Sequence, residues 1–294
     1  MTEAGKGRSD LALVLGGGGG RGFAHIGVLQ FLEENEIQVD MVVGTSMGAV
    51  MGAALAADVD LEKLTKILIH LDINKLLKIS PTSRREVEKL IGKSLAEQLT
   101  PPVWKREEPD QYPTKLSRMY RFFQLFTKGY TIEELPLPYA AVATDMGNGE
   151  EVVLKEGKLY KAVTASSAIP GFIPPVARNG RLLIDGGVVD RVPINVAIDM
   201  GARSVLAVDV SGKLTSTPKT SIEVAIRADS ITSRELVRVK NQIARKRLDG
   251  KLVIVRPRVQ DLNWLSLNNI EEASTRGFEA MKKRSTRVTK LVEY

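Results

Sequence analysis

The 294-residue chain predicts an α/β fold with a mainly parallel central sheet. Two observations carry this. Apolar strand-like runs recur at 11–15, 39–43, 139–143, 182–184, 205–208 and 252–255. Amphipathic or small-residue helical patterns fall between several of them, at 23–34, 49–57, 61–71, 192–200 and 222–248. Strands that alternate with helices pair in parallel, and the crossover helices cover both faces of the sheet. A further amphipathic pattern, 270–284, ends in basic residues.

Residues 74–135 break this rhythm. They contain Pro81, Pro101, Pro102, Pro109 and Pro113 around two helix-like pieces, 85–98 and 115–126. The expected organisation is a flexible tail over 1–10 and one large domain over 11–294. Within that domain, a basic helical insertion or cap lies at about 74–135 and C-terminal helices span about 222–294. The length suits one such domain, and 43% hydrophobic with 26% charged residues is ordinary for a globular chain.

The composition excludes several classes. With no cysteine there is neither a disulfide nor thiolate chemistry. The polar first ten residues lack the apolar core of a signal peptide, and no apolar run approaches bilayer length. A cytoplasmic protein, peripheral to membranes at most, is expected. The net charge is +7, and residues 72–131 hold twelve Lys/Arg against seven Asp/Glu. That bias suits an anionic partner, either a lipid headgroup surface or nucleic acid, as well as a solvated helical face.

The glycine run Gly16 to Gly20, followed by Arg21-Gly22, sits between the first strand and the first helix. Gly17, Gly19 and Gly22 fit a dinucleotide fingerprint, but the second strand does not end in the acidic residue that would bind a ribose. A P-loop would need Gly-Lys-Ser/Thr. The third reading is an oxyanion loop, in which successive amides point at one oxygen and the helix dipole assists.

Gly44-Thr45-Ser46-Met47-Gly48 falls between a strand and a small-residue helix, the context of a nucleophile elbow. A plain serine N-cap is the competing reading. The chain has two histidines, His25 and His70, and none after position 70. His70 falls in the helical pattern 61–71 rather than on a loop beyond a late strand, which counts against a Ser–acid–His triad in hydrolase order. The base is then a carboxylate at a strand end. Asp185, followed by Gly186 and Gly187, is favoured over Asp145 and Asp209 because the two glycines let the chain turn and expose it.

These motifs together resemble the patatin-like phospholipase family. Gly17, Gly18, Gly19, Gly20, Arg21 and Gly22 look like its oxyanion motif, Gly44 to Gly48 like its nucleophile motif, and Asp185-Gly186-Gly187 like its Asp-Gly-Gly/Ala signature. Ala165-Ser166-Ser167-Ala168-Ile169-Pro170 is similar to a further family segment. The resemblance runs from about residue 11 to 212, does not extend well to 74–130, and is closest to bacterial members and the neuropathy-target-esterase branch. It implies a three-layer α/β/α fold and a Ser46–Asp185 dyad with no histidine, metal or other cofactor. It also implies a fatty-acyl lipid substrate, with no nucleic-acid partner. A non-catalytic lipid-binding module and a nucleotide-dependent oxidoreductase are the rival classes.

Overall fold

The computed structural model describes residues 10–70, 115–212, 221–263 and 269–292. The tail at 1–9, the expected helix at 85–98 and most of the expected insertion lie outside the described residues.

The strands are β1 (Leu11–Leu15), β2 (Met41–Thr45), β3 (Tyr139–Asp145), β4 (Glu151–Leu154), β5 (Val176–Arg178), β6 (Arg181–Asp185), β7 (Ser204–Val208) and β8 (Leu252–Val255). The helices are α1 (Ala24–Glu34), α2 (Met47–Ala56), α3 (Leu61–His70), α4 (Lys115–Phe126), α5 (Leu159–Ser166), α6 (Ile194–Asp199), α7 (Ser221–Leu248), α8 (Ile270–Lys282) and α9 (Ser285–Val292). Among the described residues all strands join one sheet, in which β3-β2-β1-β7-β8 are parallel and β4, β6 and β5 are antiparallel additions.

Every residue of β1 is buried because both faces of the sheet are covered. Side chains alternate across a strand. Leu11, Leu13 and Leu15 enter the core shared with α1, α2 and α8, whereas Ala12 and Val14 enter the one shared with α6 and α7. The result is three layers, α/β/α, as expected.

The second strand begins at Met41 rather than at residue 39. Asp40 is occupied instead at the strand's entrance, where its carboxylate accepts the Leu11 amide at 2.9 Å and its own amide donates to Leu11.

One feature of the sheet positions the site. Ala141 and Val142 of β3 pair with Gly44 and Thr45 of β2 on one side and with Leu154 and Val153 of β4 on the other. Ala143 and Thr144 keep β4 as one neighbour, but the other is now β6, through Asp185 and Ile184. A strand has only two hydrogen-bonding edges. β2 and β6 therefore lie on the same edge of β3 and meet end to end, Thr45 opposite Val142 and Asp185 opposite Ala143.

Candidate active site

Ser46 is the first residue beyond β2, with φ 55° and ψ −125°, a backbone region that L-residues rarely occupy. Its side chain makes no capping bond to α2, so it is not a plain N-cap. Gly44 and Gly48 make the turn possible: a Cβ on Gly48 would overlap the Leu15 carbonyl, and one on Gly44 the Gly48 carbonyl.

The glycine loop lies against this elbow. Gly16 continues the pairing with β7 by donating to Val208 O at 2.9 Å, and Gly17 donates to Arg191 O, also at 2.9 Å. The chain then turns at Gly18 and Gly19 into a 3₁₀ turn, Gly19–Phe23, which contains Gly20, Arg21 and Gly22. A Cβ on Gly17 would stand 3.2 Å from Ser46 Cβ, and one on Gly22 would overlap the Met47 side chain. Among the described residues no backbone carbonyl accepts the Gly18 or Gly19 amide.

Two side chains hold the loop. Arg21 donates through Nε to Leu262 O at 2.9 Å and through Nη2 to Gln260 O at 3.2 Å, so its guanidinium props the loop. His25 is fully buried and donates from Nε2 to Gly16 O at 2.8 Å. Burial lowers its pKa to about 4 against the pull of that hydrogen bond, which keeps the imidazole neutral.

Asp185 ends β6 and is buried. Its Oδ1 accepts the Gly187 amide at 2.7 Å across the turn that follows, Gly186–Val188. Its backbone is held on both sides: its amide donates to Ala168 O at 2.9 Å, and its carbonyl accepts the Thr144 hydroxyl at 3.0 Å. Of the other two strand-end carboxylates, Asp145 accepts the Gly147 amide and lies 3.6 Å from Arg181, while Asp209 lies 3.0 Å from Arg256.

Ser166 bridges the end of β2 to β3. In the β2–β3 ladder Val42 donates to Pro138, and a parallel ladder repeats every two residues, so a later rung would run from Ser46 N–H to Val142 O. The Ser166 hydroxyl is inserted there instead. It accepts from Ser46 N–H at 3.0 Å and donates to Val142 O at 2.6 Å, all within buried structure.

A family model described as patatin-like phospholipase matches residues 13–198. The chain belongs to the patatin-like phospholipase family. It is 35% identical over 211 residues to mouse patatin-like phospholipase domain-containing protein 6, covering 69% of this chain and 14% of that protein. It is likewise 35% identical over 206 residues to an uncharacterized NTE family protein of Mycobacterium tuberculosis, covering 49% of the latter. The chain thus spans only part of the relatives it matches. The crystal structure of VipD from Legionella pneumophila shares the fold, with a TM-score of 0.52 at 15% identity over 97% of this chain and 67% of VipD.

The patatin-like site has a polar support that the sequence did not reveal. Thr45 Oγ1 donates to Asp190 O at 2.9 Å, and the Asp190 amide donates to Gly186 O at 2.8 Å. Asp190 therefore ties the end of β2 to the turn after Asp185. Its buried carboxylate meets Lys240 Nζ at 2.7 Å, and Lys240 also reaches Glu151 at 2.6 Å. Burial pushes Asp190 up to about 7 against the pull of Lys240. Burial also works against charge on Lys240, yet Asp190 and Glu151 outweigh it and raise its pKa. Only the strand-to-strand register could have brought these residues together.

No helix among the described residues is long and apolar enough to cross a membrane. Among the same residues, no group of three His, Asp or Glu is arranged to hold a metal ion.

Proposed function

We propose that the chain is a serine lipid acyl hydrolase of the phospholipase or lysophospholipase type, acting through a Ser46–Asp185 dyad. The observation that carries this reading is the end-to-end meeting of β2 and β6. It brings a strained serine backbone and a buried strand-end carboxylate to adjacent positions along β3.

The Asp185 carboxylate accepts the Ser46 Oγ proton as Oγ attacks the ester carbonyl carbon of a fatty-acyl lipid. The carbonyl electron pair moves onto oxygen, where the Gly18 and Gly19 amides and the N-terminus of α2 offset the charge. Collapse expels the alcohol, which takes the proton back from Asp185. Water, deprotonated by Asp185, then attacks the acyl-Ser46 carbonyl; the bond to Ser46 Oγ breaks, Oγ takes the proton back from Asp185, and the fatty acid is released. A neutral His25, occupied with Gly16 and buried behind the loop, has no part in the proton transfer.

Turnover of lysophospholipid, phospholipid and acylglycerol esters tests the reading. Wild-type protein should release fatty acid from at least one class, and Ser46→Ala should reduce the rate by roughly three orders of magnitude or more. Near-wild-type release by Ser46→Ala would defeat it. Binding of vesicles with no release from any class would instead favour the non-catalytic lipid module.

A further inference from the structure

The 28 residues of α7 make a helix roughly 42 Å long, far longer than the strands it covers. Its contacts fix its direction. Arg247 Nη2 meets Asp199 at 2.6 Å close to where β8 begins, and Lys240 reaches Asp190 in the middle. Ser233 Oγ donates to Gly187 O at 3.0 Å, two residues beyond Asp185. Residues 221–232, about 18 Å of helix, thus precede the point where α7 touches the Asp185 turn, on the side of the sheet where Ser46 and Asp185 lie.

The inner face of α7 buries Ser233, Val237, Asn241, Ala244 and Leu248. The outer face exposes Val224, Ile231, Leu236, Val239 and Ile243 by 36–54%, five of the eight large apolar side chains exposed among the described residues. At about 100° per residue these five fall within a sector of about 140° opposite the buried side. Arg227, Arg234, Arg238 and Arg245 form a row along one flank at i, i+7, i+11 and i+18. Counting all its Lys, Arg, Asp and Glu, the helix carries a net charge of +4.

We propose that the outer face of α7 is an interfacial surface that seats on an anionic lipid bilayer. The Val, Ile and Leu side chains enter the boundary between headgroups and acyl chains, and the arginine row meets the anionic headgroups. The charge selects this occupant over a second copy of the chain, which would bring the same +4 helix against it. Seating α7 sets the catalytic edge beside the lipid, because the helix is fastened to the Asp185 turn through Ser233. Docking needs no turnover, so it is separable from the dyad.

The test uses the full chain carrying Ser46→Ala, sedimented with phosphatidylcholine vesicles with and without phosphatidylglycerol. Binding should require phosphatidylglycerol and weaken as salt is raised. The combined surface variant Ile231→Ser, Val239→Ser, Ile243→Ser should bind roughly tenfold or more weakly. Arg234→Glu with Arg245→Glu should lose binding similarly. In the chain with Ser46 intact, the apolar variant should keep wild-type turnover of a soluble short-chain ester while losing turnover of vesicle lipid. Three results would overturn the proposal. These are unchanged vesicle binding by both variants, light scattering in which the apolar variant splits a dimer, and a lowered melting temperature with vesicle binding intact. The last two assign the face to a second copy and to a covering segment of this chain, respectively.

Discussion

Ser166 Oγ accepts a hydrogen bond from the Ser46 amide at 3.0 Å and donates one to Val142 O at 2.6 Å, so one hydroxyl replaces a rung of the β2–β3 ladder. Two residues on, Ala168 O receives the Asp185 amide. The end of α5 and the residues just after it therefore hold the backbones of both Ser46 and Asp185.

Ser166→Ala leaves the Ser46 amide facing a gap. The expected result is a fall in kcat of about tenfold to a hundredfold with KM close to wild type, because orientation of the nucleophile is lost rather than substrate binding. Ser166→Thr should recover part of it by keeping the hydroxyl. Ser167→Ala, which removes a buried hydroxyl that has no hydrogen-bond partner among the described residues, should leave kcat unchanged. Steady-state kinetics on a soluble ester checks all three.

His25 gives a pH signature in stability. Its pKa is lowered from the usual 6.5 to about 4 by burial, so the neutral form favours the folded state. Its contribution is complete above about pH 6.5, shrinks as the pH falls, and is lost below about 4. The total is on the order of 3 kcal/mol. Urea unfolding from pH 7 to 4 should show this slope in wild type, and the difference curve against His25→Gln should isolate it.

Lys240→Met would leave the Asp190 carboxylate buried without its cation. Breaking such a pair costs about 3–5 kcal/mol. Combining it with Asp190→Asn should recover part of that loss, since no buried charge then remains. Denaturant midpoints of the two variants measure the difference.

Gly48→Ala would push a Cβ into the Leu15 carbonyl, which belongs to the central strand and cannot move aside. The elbow should be displaced and ester turnover reduced to background. Circular dichroism and turnover, read together, separate a displaced elbow from an unfolded chain.

The parallel core was legible in the sequence because its strands are short apolar runs bounded by turn residues, and β1 and β8 fall where their apolar letters do. β4 and β5 were not. Glu151-Val152-Val153-Leu154 and Val176-Ala177-Arg178 are too short to carry a pattern, and they exist because β3 and β6 offer edges to pair with. α5 was missed too, since Val163-Thr164-Ala165-Ser166 has weak helical propensity and is held by tertiary packing. The elbow and the Asp185 turn stood out through their glycines. The roles of Ser166 and Asp190 did not, because their partners lie 120 and 145 residues away in the chain and only the tertiary fold brings a helix end and a loop to the end of β2.

Covalent labelling distinguishes Ser46 as nucleophile and Asp185 as its base from every other assignment. A fluorophosphonate probe followed by mass mapping should place the adduct on the peptide containing Ser46. Asp185→Asn should slow labelling by orders of magnitude, and Asp145→Asn, whose carboxylate serves the Gly147 turn and Arg181, should not. An adduct on another residue, or Asp185→Asn labelling at the wild-type rate, would contradict the dyad.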